Sequence, residues 1–410
     1  MAHRALIPAP SRPRSALGRE ARRRLGIFTA AAALLQLDGT LITVALPSMS
    51  RDLHVSAGSS SAVLSAYFCA YALTLLPGGL LVDRLGIRRL SLLGLGLFAA
   101  GLAAGAVANT LPLLIVARLV QGAGAGLLSP AALAGAMSEV PPQRRGAALG
   151  IWSASAAVAN LVGPLLGGLL TVAFGWRVTW WGLVPLALVS AWAIASHMPR
   201  SVRAVPSTRY RTVLDRVIVT CSFVAALTFA VMIGFFYLAE QYLQRSAGYS
   251  PLGASAVLVL IAVLVGTAAP AAGRLVDARG ERLTALVGFA AAGLGLAVLG
   301  IPSMPLRSSI TIVPLVPLGL GPGMLFVPAS RAALNRAPRS SHGRVSALLS
   351  LGRMVGAAVG VALAGAAISS SLTAAAVHAA LLVGCAACVA LGMPAALRLG
   401  PPTRRLAVSA

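Results

Sequence analysis

Gly79-Leu80-Leu81-Val82-Asp83-Arg84-Leu85-Gly86-Ile87-Arg88-Arg89 is answered 194 residues later by Gly273-Arg274-Leu275-Val276-Asp277-Ala278-Arg279-Gly280-Glu281-Arg282. The two stretches agree at glycine, leucine, valine, aspartate and the second glycine, and each follows a long apolar run. Glycine lets a chain turn tightly. An aspartate in a short loop can face a helix N-terminus or pair with a neighbouring arginine. Met once, Asp83, Arg84, Arg88 and Arg89 would read as loop charges. Met twice at corresponding places, they mark an internal duplication.

Working outward, apolar runs long enough to cross a bilayer, about 20 residues each, lie at 25–46, 59–81, 88–108, 111–137, 146–171 and 177–196. After the polar stretch from His197 to Arg216 come six more, at 214–239, 251–273, 283–302, 308–330, 341–367 and 372–396. The chain is 58% hydrophobic and 10% charged, against about 25% charged in soluble domains, so a water-soluble fold is excluded. The runs show no alternation, which leaves helices rather than a closed barrel. The expected fold is an all-α membrane protein, with twelve transmembrane helices in two pseudo-symmetric six-helix bundles. The expected divisions are a basic N-tail 1–24, a bundle 25–196, a linker 197–213, a bundle 214–396 and a C-tail 397–410. The first run follows seven arginines like a secretory signal, but it continues to Leu46 and contains Asp38, so it reads as a span.

A net charge of +24 would suggest nucleic acid in a soluble chain. Here all 33 basic residues are arginine and they are placed by topology. Twenty-seven fall in the tails and alternate loops of one side, four (Arg51, Arg177, Arg245, Arg307) on the other, and Arg118 and Arg353 within spans. By the positive-inside rule both termini are cytoplasmic in a plasma membrane. Lipid is therefore the expected partner of the outer surface, and nucleic acid is not expected. Cys385 and Cys388 form C-x-x-C, but nothing completes a four-ligand metal site. Without lysine no phosphate-binding G-x-x-x-x-G-K loop exists, and there is no catalytic triad. No enzyme activity, metal or cofactor is expected.

The loop Gly79 to Arg89 is similar to the helix 2 to 3 signature of the major facilitator superfamily, with Gly273, Asp277 and Gly280 as its second copy. Leu37-Asp38-Gly39-Thr40 through Val44-Ala45-Leu46-Pro47 resembles the helix 1 signature of drug:proton antiporters of the quaternary-ammonium-resistance group. Arg118-Leu119-Val120-Gln121-Gly122-Ala123-Gly124-Ala125-Gly126 resembles their helix 4 signature. Gly163-Pro164-Leu165-Leu166-Gly167-Gly168 resembles their helix 5 antiporter signature. The resemblance covers nearly everything after residue 25. It departs in having a seam of about 20 residues where that group commonly carries two extra helices, and in Ala159 where the helix 5 pattern begins with glycine. The resemblance implies alternating access, a cytoplasmic gate loop, proton-coupled export of a small drug-like molecule or secondary metabolite, and a monomer.

Ionisable groups within spans are expensive and so are functional candidates. Asp38 in helix 1 is a candidate for proton coupling or cation recognition, against a structural hydrogen bond. Arg118 stays charged and needs a carboxylate, carbonyls or an anionic substrate, with Gln121 one turn on. Glu240 stands at the outer end of helix 7 beside Gln241 and Gln244, where it either reaches the cavity or marks the interface. Arg353 reads as lying towards the cytoplasmic end of helix 11, where it can snorkel. Glycines at intervals of four, including Gly163 and Gly167, place small faces where helices approach, and Gly163-Pro164 can bend helix 5. Tyr67, Tyr71, Trp152, Trp180, Trp181 and Phe235 line a pocket or serve as packing and interface anchors. The competing readings are a proton symporter or facilitator importing a metabolite, and a non-transporting membrane sensor or scaffold.

Overall fold

The computed structural model describes residues 18–141, 144–199, 215–306, 309–337 and 342–399. Most of the tails and of the seam between the halves lies outside these residues. Among the described residues no strand occurs, as expected where lipid offers backbone groups no partner.

The N-terminal half contains α1 (Arg19–Asp52), α2 (Ala57–Leu85), α3 (Ile87–Ala106), α4 (Leu111–Met137), α5 (Arg145–Phe174) and α6 (Trp176–His197). α1 begins at Arg19, within the stretch read as tail. The C-terminal half opens with α7 (Arg216–Arg245) and a 49-residue helical stretch, Pro251–Leu299. That helix is broken at Gly280, whose φ of 85° and ψ of 171° are not helical, so it makes two crossings, α8 (251–279) and α9 (281–299). α10 (Ile312–Arg336), α11 (His342–Ala367) and α12 (Ala374–Leu397) complete twelve.

The duplication extends to the backbone. Ser56 and Ser250, 194 residues apart, each cap the next helix with a side-chain oxygen that accepts from a backbone N–H, of Ser59 and Gly253 respectively. Such caps satisfy an otherwise orphaned donor. Gly86 turns between α2 and α3 at φ 82°, ψ 158°, matching Gly280; this region of backbone space is open essentially to glycine alone. A Cβ at Gly101 would lie 2.7 Å from the Ala117 carbonyl of α4, and one at Gly295, again 194 residues on, 2.6 Å from the Pro314 carbonyl of α10. The same pair of helices is thus drawn together in each half.

Large apolar side chains such as Leu73, Phe174, Trp192 and Val313 are exposed on the outer surface, as a lipid-facing wall requires. The halves meet along α2 and α11, α5 and α8, and α1 and α7. Where they interlock most closely, the contacts sit at the end of the bundle that carries few arginines: Gly58 against Ser369, and Gly168 against Leu252 and Ser255.

Candidate functional site

Asp38 lies near the middle of α1 and is wholly buried, as are Arg118 and Gln121 on α4. The three close a triangle. Arg118 Nη1 donates to Asp38 Oδ2 and to Gln121 Oε1, each at 2.8 Å, and Gln121 Nε2 donates to Asp38 Oδ1 at 2.8 Å. The side of Gly101 facing α4 leaves room for Gln121. Behind α1, Gly163 of α5 abuts Thr40 and Gly167 abuts the backbone of Leu41, so the helix 5 glycines back the turn of α1 that follows Asp38. Pro164 stands within continuous α5, and Gly168 reaches across to α8.

The Arg118 guanidinium carbon sits 4.7 Å from the Tyr67 ring centroid and 5.0 Å from that of Trp180. Rings so placed attract the cation through their electron-rich faces. Among the described residues Arg118 Nε and Nη2 are buried without a hydrogen-bond partner, so the cation depends on Asp38, on the Gln121 amide oxygen and on these rings. A buried charge is tolerated when it is paired, and losing one partner abandons the other. A proton on Asp38 would therefore turn an ion pair into a charge beside a neutral acid, loosening α1 from α4. Tyr67 and Trp180 are two of the aromatics that the sequence offers for a pocket or for packing, but nothing in their sequence neighbourhood assigns them to Arg118. Trp181, one residue on, is exposed instead.

Glu240 takes no part in the Asp38 triangle among the described residues. α7 continues past it to Arg245, so Glu240 lies inside the helix, at 1% exposure, rather than at a water interface. It belongs to a seam between the halves. Gln244 Nε2 donates to Glu240 Oε2 (2.7 Å) and to the Val44 carbonyl of α1 (2.8 Å); Gln241 Nε2 donates to Ser60 Oγ of α2 (2.9 Å). Tyr237 hydrogen-bonds Ser60 and the Ala57 carbonyl, and Arg245 Nη1 donates to Ser50 Oγ and the Val55 carbonyl. Together with the Ser65 bond to the Ala358 carbonyl, these bonds seal the arginine-poor end. Ser60 and Tyr237 carried no signal in the sequence.

At the opposite end, Gly79 and Gly273 have open space where a Cβ would stand, and Arg84 and Arg89 are exposed. Arg88 Nη2 donates to the Ala195 carbonyl of α6 at 2.8 Å. Asp277 pairs with Arg331 of α10, which also stands 3.7 Å from Glu281. Asp83 is half-buried beside Arg84. Arg353 stands near the middle of α11, not at its end. A cavity of about 300 Å³ within the C-terminal half, among Phe235, Tyr242, Leu315 and Leu381, is apolar and is lined by none of Asp38, Arg118 and Gln121. Among the described residues no group of three His, Cys, Asp or Glu side chains is placed to hold a metal.

A family model described as Major Facilitator Superfamily matches residues 28–361 and 221–409. An uncharacterized MFS-type transporter of Mycobacterium tuberculosis is 39% identical over 166 residues, 40% of this chain and only 29% of that protein. Multidrug resistance protein Stp of the same species is 26% identical over 399 residues, 83% of this chain and 73% of that one. Among solved structures, a bacterial homolog of the human lysosomal transporter Spinster, inward-facing and unoccupied, superposes with a TM-score of 0.71 at 16% identity, covering 93% of this chain and 96% of that one. That last likeness is one of fold.

Proposed function

The chain belongs to the major facilitator superfamily of transporters, and on that premise we propose that it exports an amphipathic small molecule in exchange for protons. The observation that carries the reading is the buried triangle of Asp38, Arg118 and Gln121. A lone carboxylate held by one arginine deep in a membrane bundle is a group whose single proton changes the packing of two helices. The name of the multidrug resistance relative supports a drug-like cargo.

The orientation belongs to the same proposal, resting on twenty-seven arginines against four. The termini and the loops of Asp83 and Asp277 face the cytoplasm, and the seam of Glu240, Gln241 and Gln244 faces outward. In the cycle, Asp38 takes a proton from outside and releases its hold on Arg118, and the cargo leaves. The halves then rock about the α2–α11 and α5–α8 contacts, and the proton departs inward. Exchange requires that proton and cargo favour opposite states, because a ligand shifts an equilibrium only by its differential affinity. Gly79, Gly86, Gly273 and Gly280, with Asp83, Arg84, Arg88, Arg89 and Asp277, form the cytoplasmic gate. The helix 5 residues Gly163, Pro164, Gly167 and Gly168 form the pivot, Glu240 lies in the outer gate, and one chain is the transporting unit within its lipid.

The test is purified protein in proteoliposomes under an imposed pH gradient, with a panel of antibiotics and dyes, following solute and lumenal pH together. Coupled movement in opposite directions is expected. Solute moving with the proton, or without any proton movement, would overturn the reading.

A further inference from the structure

The chain's nine carboxylates leave one spanning arginine unmatched. Asp38 takes Arg118, Asp52 takes Arg177, Glu20 and Glu139 take Arg24, and Asp277 and Glu281 take Arg331. Glu240 accepts from Gln244, Asp215 caps α7, and Asp83 stands in the last turn of α2. Arg353 makes no hydrogen bond or ion pair among the described residues.

Its place on α11 is fixed by three neighbouring faces. Gly352, Gly356 and Gly360 lie against the backbone of α7 at Ser222, Ala226 and Ala230. Ala358 accepts a bond from Ser65 of α2, and Val355, Val359 and Leu363 are exposed. Arg353 occupies the remaining side, in line with buried Ala357 and Val361, between α7 and α2 and so between the two halves. Its guanidinium carbon lies 6.0 Å from the Phe229 ring centroid of α7; Phe229 in turn packs at a tilt against Phe326 of α10, ring centroids 5.7 Å apart. Tyr71 of α2 is within electrostatic reach and makes an edge contact with Tyr67, the ring that covers Arg118. Arg353, Phe229 and Phe326 are all partly open although each is near the middle of its helix.

We propose that Arg353, with Phe229, Phe326 and Tyr71, forms the cargo-recognition subsite, and that the cargo is an aromatic small molecule carrying at least one acidic group: a carboxylate, sulfonate or ionised phenol. A permanent cation in a low-dielectric bundle favours an anion as its partner, and among the described residues no carboxylate pairs with Arg353. A guanidinium is suited to grip a planar acid at two points, and the three rings offer faces for an aromatic body. A cationic cargo would instead meet an unscreened like charge. The inference deepens the export reading and rests on it only for the direction of movement.

The test is equilibrium binding, which needs no transport: fluorescein as the anionic probe and ethidium as the cationic one, by fluorescence polarisation on the purified full chain in nanodiscs, with empty nanodiscs as baseline. The wild type should bind fluorescein, with an affinity that falls as salt rises. Arg353→Gln should weaken fluorescein at least about tenfold, the scale of a lost charge-assisted bond, and leave ethidium unchanged or improved. Arg353→Lys should retain part of the affinity. No fluorescein binding by the wild type, no loss in Arg353→Gln, or equal loss of both dyes would overturn the proposal. Should Arg353→Gln fail to give a monodisperse protein, the salt dependence and Arg353→Lys decide alone. Proton-coupled export of ethidium but not fluorescein would sustain the export reading and end this one.

Discussion

The two halves share a scaffold and differ in their chemistry. Ser56, Gly86 and Gly101 recur as Ser250, Gly280 and Gly295, doing the same work of capping, turning and close packing. The interior charges do not recur. At the same spacing Asp38 corresponds to Met232, Arg118 to Ile312, Arg353 to Ala159 and Glu240 to Leu46. The N-terminal half thus holds a closed polar triangle. Among the described residues the C-terminal half holds an unmatched arginine and, in the seam, three buried acceptors (Glu240 Oε1, Gln241 Oε1 and Gln244 Oε1) with no donor. Duplication supplied two rocking bodies, and separate residues adapted one body to itself and left the other open to a ligand and to its partner half.

The sharpest way to break this comparison is to unmatch the matched site. Asp38→Asn leaves Arg118 buried with neutral partners in place of an anion, a loss of about 3–5 kcal/mol when one partner of a buried pair is removed. It should abolish cargo-driven pH change in proteoliposomes and lower the unfolding temperature followed by tryptophan fluorescence. Adding Arg118→Gln removes both charges and should recover most of the stability while transport stays lost. Arg353→Gln, which abandons no partner, should leave stability unchanged or raised. If Asp38→Asn alone and the double variant unfold alike, the triangle is not a coupled unit.

The scaffold half of the comparison predicts equality. Gly86→Ala and Gly280→Ala each force a side chain into backbone space that costs about 1–3 kcal/mol, and at φ of 82° and 85° the two penalties should agree. Thermal unfolding of the two variants side by side checks this. A clear difference between them would mean that the duplicated loop is load-sharing in one half only.

Much of this was legible because it is carried by periodic or charged residues. The helix count and the repeat could be read from the sequence, and Asp38 and Arg118 stood out as candidates because each charge stands alone in an apolar run. Rotation of the helices could not. A membrane helix is apolar on nearly every side, so nothing in the sequence told Trp180, turned onto Arg118, from Trp181, turned outward. Nor could depth be read for Glu240: Glu240-Gln241 ends an apolar run, and only contact with Val44 and Ser60 across the seam gives polar side chains a place inside the bundle. Arg353 likewise reads as a snorkelling end residue until α7 and α2 are seen to enclose its face of α11.

The smallest expected effect tests the seam. Gln241 donates to Ser60 Oγ while its own Oε1 is buried without a donor, so Gln241→Leu removes one hydrogen bond and one orphaned acceptor together. A bond is worth about 0.5–1.5 kcal/mol net, and relief of the orphan returns part of it. The opening equilibrium at that end should therefore move by a factor of ten or less, towards the open state. Spin labels at His54, between α1 and α2, and Gly248, between α7 and α8, would read the distance between the halves there. A modest growth of the longer-distance population is the expected result. A complete shift would mean that the seam is held by Gln241 alone, and no shift would place the holding contacts at Tyr237, Gln244 and Arg245, whose bonds to α1 and α2 this variant leaves in place.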